Sequence, residues 1–167
     1  KTLNKDNPKL NCRLKNLKKF SPKRIILDNR LETNTKSYIF RTANKNNTII
    51  FYNEAKKSKI SKFKEKKIQI IKSKTNSLKQ FDIPIILKKL YSLGCRNILV
   101  EGGNDLTKGF LKKKIFNRFY LFKSTKTLSK FNEYKEFNGF NVLKKNYKSK
   151  IKIKSNFGND TITLYKN

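Results

Sequence analysis

The chain has 167 residues, and its 42 Lys and Arg against 11 Asp and Glu give a formal net charge of +31 at neutral pH. It contains no His, which excludes a His-based catalytic triad, a His general base and a His metal site. Its two cysteines form no CxxC pair and no apolar run approaches the roughly 18 residues needed to span a bilayer, so a reducing cytoplasm is the expected setting.

The first half of the chain contains a series of short apolar, β-branched or aromatic runs. Each is bounded by Asn, Asp, Ser or Lys, which is typical of strands. The predicted strands are Arg24–Asp28, Ser37–Thr42, Asn47–Asn53 and Lys67–Ser73. The lysine-rich stretch at residues 56–67 is predicted to form an exposed loop or an irregular helix.

The hydrophobic period changes at Phe81. Apolar residues then recur at helical spacing up to Gly94, a good helix stop, with Asp82 as the predicted N-cap and Pro84 in the first turn. Downstream, the pattern predicts a strand at Cys95–Val100, a helix at Asn104–Lys114, a strand at Arg118–Ser124, and a hairpin of Lys150–Ser155 and Thr161–Lys166 around a turn at 156–160.

The order of these elements predicts an α/β fold. Strands that alternate with helices favour a mostly parallel central sheet flanked by helices, and the C-terminal hairpin adds antiparallel strands. Because there is no repeat and no long linker, residues 1–167 are predicted to form a single domain.

The stretch NILVEGGNDLTKGFL, residues 97–111, is the first candidate site. Gly102 and Gly103 carry no Cβ, so the backbone can pass close to a ligand, and the following helix presents N–H groups and its positive dipole end to a pyrophosphate. Glu101 would lie at the carboxyl edge of the sheet, where open α/β sheets bind ligands. The alternative is a tight strand-to-helix turn with a solvated glutamate, which the stretch alone favours.

The stretch TLNKDNPKLNCRL, residues 2–14, is the second candidate. Asp6, Asn7 and Pro8 form a turn signal, and the guanidinium of Arg13 can grip two phosphate oxygens at once. The alternative is a polar loop with one more basic residue among many, and spacing alone favours that alternative.

Together these stretches are more specific than either alone. In order and spacing, TLNKDNPKLNCRL, PKRIILD, DIPIILKKLYSLGCRNILVEGGNDLTKGFL and FYLFKS resemble the reductase domain of the bifunctional riboflavin-biosynthesis deaminase–reductase, over nearly the whole chain. The resemblance implies a dihydrofolate-reductase-like fold. It also implies reduction of 5-amino-6-(5-phosphoribosylamino)uracil to the phosphoribitylamino compound, with NADPH as hydride donor.

The resemblance further implies roles for individual residues. Thr2, Asp6 and Asn29 match positions that contact the nicotinamide cofactor. Leu10, Arg13 and Glu101 match positions that hold the substrate, with Arg13 suited to the substrate phosphate. The cofactor phosphate loop and the start of its helix match Gly102, Gly103, Asn104, Asp105, Leu106, Thr107, Lys108 and Gly109. No metal ligand and no catalytic acid or base is assigned.

The resemblance also implies partners. Members of this family are commonly homo-oligomers and are fused to an upstream deaminase domain, whose H-x-E and P-C-x-x-C zinc signature does not occur in this sequence. Roughly 50 further residues of the reductase domain, including its first sheet strand, are expected before Lys1, given the size of such domains.

Two other functions stay open. The charge of +31 fits a nucleic-acid-binding protein, although the basic residues are scattered along the whole chain among Asn, Ile and Phe, which favours a compositional bias. A catalytically inactive reductase-like domain is the other alternative.

Overall fold

The structure is a computed structural model that describes residues 2–125, 137, 139–147, 149–154 and 158–167. The chain divides into two compact units, Lys1–Arg96 and Asn97–Asn167. Each unit has its own elements and its own apolar core. That residues 1–167 act as one domain therefore stays a prediction.

The first unit is built on a parallel sheet. In chain order its helices and strands are α1 (Thr2–Asp6), β1 (Arg24–Leu27), α2 (Tyr38–Thr42), β2 (Thr48–Tyr52), α3 (Lys57–Glu65), β3 (Gln69–Lys72) and α4 (Ile83–Ser92), with a 3₁₀ turn at Lys18–Phe20. The strand order is β1-β2-β3, and both pairings are parallel. The three strands predicted at 24–28, 47–53 and 67–73 are therefore confirmed.

Both faces of this sheet are covered by helices. On one face Ile26 and Ile50 pack with Phe40 of α2 and Phe63 of α3, whose rings meet edge to face at 5.0 Å between centroids. On the other face Ile49 and Phe51 pack with Ile86 and Leu90 of α4. Because β2 is buried on both faces, its sequence is a continuous apolar run, as parallel central strands require.

The strand predicted at Ser37–Thr42 is wrong, because this stretch forms the one-turn helix α2. Ser37 is its N-cap, and the Ser37 hydroxyl oxygen accepts a hydrogen bond from the Phe40 backbone N–H at 3.2 Å. A strand would send the consecutive residues Ile39 and Phe40 to opposite faces, whereas the helical turn buries both in one core.

The predictions for residues 56–67 and for the helix that ends before Gly94 are supported. The lysine-rich stretch at 56–67 takes the helical alternative as α3, which buries Phe63. In α4, Pro84 lies in the first turn and Gly94 follows the helix with a φ of 86°. Asp82 occupies the N-cap position, but its side chain makes no capping hydrogen bond.

The second unit is built on an antiparallel sheet. Its elements are α5 (Asn104–Lys113), β4 (Arg118–Lys123), α6 (Phe140–Asn146), β5 (Lys150–Ile153) and β6 (Thr161–Lys166). The strand order is β4-β6-β5. The β5–β6 pairing confirms the C-terminal antiparallel pair, while residue 155 of the predicted strand and residues 156 and 157 of the predicted turn lie outside the described residues.

The core of the second unit lies between its sheet and its two helices. Leu111 of α5, Leu143 of α6, Tyr147 and Tyr165 of β6 form its buried centre. The Tyr147 hydroxyl donates a hydrogen bond to the Leu111 carbonyl oxygen at 3.0 Å, and burial raises the pKa of the Tyr147 phenol.

The strand predicted at Cys95–Val100 is also wrong. Residues 95–100 carry no regular secondary structure, and none of the strands in the described part of the chain pairs with them. The Leu99 side chain is 81% exposed. An apolar run forms a strand only where a neighbouring strand accepts its backbone hydrogen bonds. The helix predicted directly after it is confirmed as α5, and the α/β class is confirmed.

Candidate functional site

A cavity of the first unit lies at the carboxyl ends of its parallel strands. Its volume is about 440 Å³, within the usual range for small-molecule sites. Residues that follow β1, β2 and β3 directly contribute to its wall. These lining residues, which we call the carboxyl-end pocket, are Asn29, Arg30, Asn53, Glu54, Lys74, Thr75, Asn76, Ser77 and Lys79. This is the edge at which open parallel sheets bind ligands.

Asn29 is the sequence-predicted residue that lies in this pocket. Its backbone carbonyl accepts hydrogen bonds from the N–H groups of Asn53 and Glu54 at 3.0 and 3.1 Å, so the loops after β1 and β2 are tied together. Its side-chain Nδ2 reaches the Lys79 carbonyl at 3.5 Å, and its Oδ1 is buried without a hydrogen-bond donor. A buried acceptor without a donor costs stability, and a ligand hydroxyl or amino group would relieve that cost.

The carboxyl-end pocket has a positive charge balance. Three cations, Arg30, Lys74 and Lys79, line it against the single carboxylate of Glu54. The loop that carries the two lysines is held by hydrogen bonds of Asn76 with Gln80 and by a bridge between Thr75 and Phe81. The pocket is therefore suited to an anionic ligand that also carries hydroxyl groups.

The N-terminal stretch with the other predicted residues is fastened to the first unit by two asparagines. Asn4 donates to the Glu32 carbonyl at 2.7 Å and accepts from the Asn34 N–H at 3.0 Å. Asn7 accepts from the Tyr38 N–H at 2.7 Å and has a φ of 42°, which places the predicted turn directly after α1.

The predicted residues of that stretch line no part of the carboxyl-end pocket. Asp6 and Arg13 are exposed, whereas Leu10 is half-buried, packs against the core and lines a second, smaller cavity. Thr2 belongs to α1, but its side chain lies outside the described part of the structure. The structure thus places Asn29 and Leu10 in different cavities of the first unit.

In the second unit, the predicted glycine turn leads directly into α5. Gly103 is the N-cap of α5 and its carbonyl accepts from the Thr107 N–H at 3.2 Å. A Cβ at Gly102 would lie 2.7 Å from Leu106 Cδ2, so a larger residue at this position would displace the Leu106 side chain or the turn.

The other predicted residues of the second unit follow that turn. Asp105 lies in the first turn of α5 and is exposed, whereas Asn104, Leu106, Thr107, Lys108 and Gly109 are half-buried. Glu101 is exposed and precedes the turn without regular secondary structure. The ten-residue helix directs its N-terminal dipole end toward the glycine turn, which is the arrangement that phosphate groups favour.

The cations of the carboxyl-end pocket were missed by sequence reasoning. Lys74 and Lys79 belong to a loop without a glycine fingerprint, and they are two among 42 basic residues. Arg30 directly follows Asn29, which is a predicted cofactor position. That adjacency is the signal in the sequence by which Arg30 could have been predicted to line the site.

Within the described residues, no helix is long and apolar enough to cross a membrane, and no group of three or more Cys, Asp or Glu side chains is placed to hold a metal ion.

Comparisons with known proteins point to one family. The sequence profile of the family described as "RibD C-terminal domain" matches residues 1–162. The chain is 31% identical over 165 residues to "Riboflavin biosynthesis protein RibD" of Aquifex aeolicus, covering 99% of this chain and 44% of that protein. It is 28% identical over 114 residues to the protein of the same name from Chlamydia trachomatis, covering 67% of this chain and 30% of that protein.

Solved structures show the same fold. The structure titled "Acinetobacter baumannii RibD, form 2" matches 99% of this chain and 44% of its own length, with a TM-score of 0.71 at 16% identity. Form 1 of the same protein matches with a TM-score of 0.69. The dihydrofolate-reductase-like α/β fold predicted from the sequence is thereby confirmed. The chain spans less than half the length of these relatives.

Proposed function

Since the chain belongs to the family of RibD C-terminal domains, we propose that it is an NADPH-dependent reductase of riboflavin biosynthesis. Its substrate would be 5-amino-6-(5-phosphoribosylamino)uracil and its product the phosphoribitylamino compound. The name shared by the curated relatives supports the pathway. The carboxyl-end pocket is the observation that carries the choice of cofactor.

The residues of the carboxyl-end pocket fit the adenosine end of NADPH. The Asn29 Oδ1 is a buried acceptor without a donor, and a ribose hydroxyl or the adenine amino group would supply one. Arg30, Lys74 and Lys79 supply positive charge for a ribose phosphate, which NADH lacks. This pairing favours NADPH over NADH.

The residues of the glycine turn fit the cofactor pyrophosphate. Gly102 and Gly103 carry no side chains of their own, and α5 begins at the next residue. Glu101, directly before the turn, is proposed to hold polar groups of the substrate, and Arg13 of the first unit is proposed to bind its phosphate.

In this reaction the protein binds and orients, while NADPH, when bound, supplies the hydride that reduces C1 of the ring-opened ribosyl group. Arg13 contributes by fixing the phosphate end of the substrate, and Glu101 by fixing the orientation of its polar groups. Orientation of two bound reactants can supply a large part of the barrier reduction in such a transfer.

The proposal is tested by following NADPH absorbance with the natural gene product that contains this chain. We expect NADPH oxidation only when the phosphoribosylaminouracil is present, and formation of the ribitylamino product in equal amount. NADPH binding without oxidation would instead identify an inactive reductase-like domain. No binding of either nucleotide would refute the proposal.

The assignment of the carboxyl-end pocket is tested by replacing Lys74 and Lys79 with Ala together. Loss of two exposed charge pairs should raise the KM for NADPH about tenfold and leave the KM for NADH nearly unchanged. Lys45→Ala is the matched control, because Lys45 is an exposed lysine that lines neither described cavity. Equal effects on both nucleotides would contradict a role in recognising the ribose phosphate.

Two partner assignments are proposed on the family resemblance. The chain would act as a homo-oligomer and as part of a protein that also carries a deaminase domain. Light scattering of the natural gene product tests the first, and zinc content with deaminase activity tests the second. A monodisperse monomer, or a gene product without zinc and deaminase activity, would refute the respective assignment.

A further inference from the structure

A second cavity of the first unit lies at the opposite end of the same parallel strands. Its volume is about 170 Å³, and its walls include Arg24, the first residue of β1, and Asn47, which directly precedes β2. The remaining lining residues of this Arg24 cavity are Leu10, Asn11, Ser21, Pro22, Tyr38 and Thr42. It shares no residue with the carboxyl-end pocket.

Arg24 brings a buried positive charge to this cavity. Its side chain is only 6% exposed, and it donates four hydrogen bonds, to Thr48 Oγ1, Thr42 Oγ1, the Thr42 carbonyl and Asn47 Oδ1, at 2.8–3.1 Å. All four acceptors are neutral oxygens. Since a guanidinium has five N–H groups and Nη1 uses one of its two, one Nη1–H is left over.

The buried charge is not balanced by these contacts. Burial lowers the pKa of the Arg24 guanidinium, which Tyr38 partly opposes, and the group stays protonated at neutral pH. Buried charges in proteins are generally paired. Lys9 adds a second positive charge nearby, with its Nζ 5.7 Å from the centroid of the Tyr38 ring.

Two further polar groups in the cavity have unused hydrogen-bonding capacity. The Tyr38 hydroxyl only accepts a long bond of 3.5 Å from Asn11 Nδ2, so its own hydrogen is free to donate. Asn11 Oδ1 is buried without a donor. The cavity therefore offers two donors, Tyr38 O–H and Arg24 Nη1–H, and one acceptor, beside an excess positive charge.

We propose that the Arg24 cavity binds a phosphate group that carries one proton, either inorganic phosphate or a phosphate monoester. Two of its oxygens accept from Arg24 Nη1–H and the Tyr38 hydroxyl, and its protonated oxygen donates to Asn11 Oδ1. The proposal involves neither the carboxyl-end pocket nor the glycine turn, and Leu10 is the one predicted substrate residue that lines the Arg24 cavity.

A bound water is the simplest competitor, since one water can serve two donors and one acceptor. A water occupies about 30 Å³ of liquid volume, much less than the cavity, and it leaves the charge of Arg24 unbalanced. Phosphate satisfies the same groups and also supplies the missing negative charge.

The test uses Tyr38→Phe with Asn11→Leu, because Arg24 also holds the loop before β2 and its variants can fail to fold. The Tyr38 ring and backbone contacts are retained in Phe, and the Asn11 side chain makes its one hydrogen bond within the described residues to Tyr38. Phosphate binding is measured by calorimetry at constant ionic strength with chloride as the compensating anion. We expect the double variant to bind inorganic phosphate at least tenfold more weakly than the unaltered protein, while the control Lys45→Ala retains the affinity.

Sulfate provides the sharper control, because it has the same shape but no proton at neutral pH to donate to Asn11 Oδ1. Sulfate should therefore bind more weakly than phosphate, and Asn11→Leu should remove most of that difference. Ribose 5-phosphate distinguishes the two sources of the phosphate: tighter binding than inorganic phosphate indicates a monoester, and weaker binding indicates the free ion. Equal phosphate affinity in the double variant, or loss of affinity only in Lys74→Ala/Lys79→Ala, would overturn the proposal.

Discussion

The replacement of Gly102 by Ala tests whether the glycine turn is sterically required. The added Cβ would lie 2.7 Å from Leu106 Cδ2 and 3.2 Å from both Leu106 Cβ and Cγ. Because carbon atoms pack best at about 3.5–4.0 Å, the closest contact falls well inside the repulsive range. Either Leu106 or the turn must move.

These two responses, movement of Leu106 or movement of the turn, set the range of the loss in unfolding free energy. If only the Leu106 side chain leaves its rotamer, the cost is about 0.5–1.5 kcal/mol. If the backbone of the turn shifts as well, the cost rises toward about 3 kcal/mol, as in other overpacked sites. We therefore expect Gly102→Ala to lower the free energy of unfolding by about 0.5–3 kcal/mol.

A double-mutant cycle with Leu106→Ala separates this steric effect from any other. Leu106→Ala removes the Cγ and Cδ2 atoms and leaves only the contact of 3.2 Å, so Gly102→Ala should then cost less than about 1 kcal/mol. The measurement is urea unfolding followed by circular dichroism and tyrosine fluorescence, since the chain has no Trp. A cost below about 0.5 kcal/mol, or the same cost in both backgrounds, would refute the steric argument.

Four further predictions test the fold and the proposed activity. Arg13→Ala should raise the KM for the phosphorylated substrate much more than it lowers kcat, with exposed Arg41→Ala as control; an equal loss in kcat and kcat/KM with unchanged KM would contradict phosphate anchoring. Ser37→Ala should destabilise the first unit by about 1 kcal/mol in urea unfolding, because it removes the N-cap hydrogen bond of α2. An unchanged free energy of unfolding would show that this hydrogen bond does not stabilise α2. Burial raises the pKa of Tyr147, so the unfolded chain loses the phenolic proton at lower pH than the folded chain does, and the free energy of unfolding should fall as pH rises above the ordinary tyrosine value. In parallel pH titrations the free energy of unfolding of Tyr147→Phe should fall less steeply. Identical slopes would exclude this contribution. Finally, binding to duplex DNA of mixed sequence should be weak and should disappear as salt increases, as expected for charge alone; sequence-selective binding that survives high salt would favour the nucleic-acid alternative.

The parallel sheet was predictable because its strands carry their own signal. The run around Ile49, Ile50 and Phe51 is apolar on both faces, and the structure buries it on both faces. The pattern at Ser37–Thr42 looked equally strand-like. It was misinterpreted because a five-residue helix is too short to show a helical period. In the folded chain Ile39 and Phe40 pack into the same core as Phe63, and this tertiary contact is not visible in the local sequence.

The candidate site was predictable only in part, for a reason that lies in the composition. Gly102 and Gly103 stand out because only six glycines occur in the chain. Lys74, Lys79 and Arg24 cannot stand out among 42 basic residues, although two line the carboxyl-end pocket and the third is buried in another cavity. Arg24 is distinguished by its burial and its neighbouring acceptors, and Lys74 and Lys79 by their position on the wall of a pocket, which only the folded chain displays.

The stretch at Cys95–Val100 shows where local pattern stops determining structure. The helices on either side, α4 and α5, are confirmed because a helix satisfies its backbone hydrogen bonds within its own residues. A strand satisfies them only with a neighbour, and none of the described strands pairs with this stretch. An apolar run is therefore a condition for a strand but not sufficient for one. A segment that added a strand beside residues 95–100 would supply the missing backbone partners, and amide hydrogen exchange of these residues would then slow.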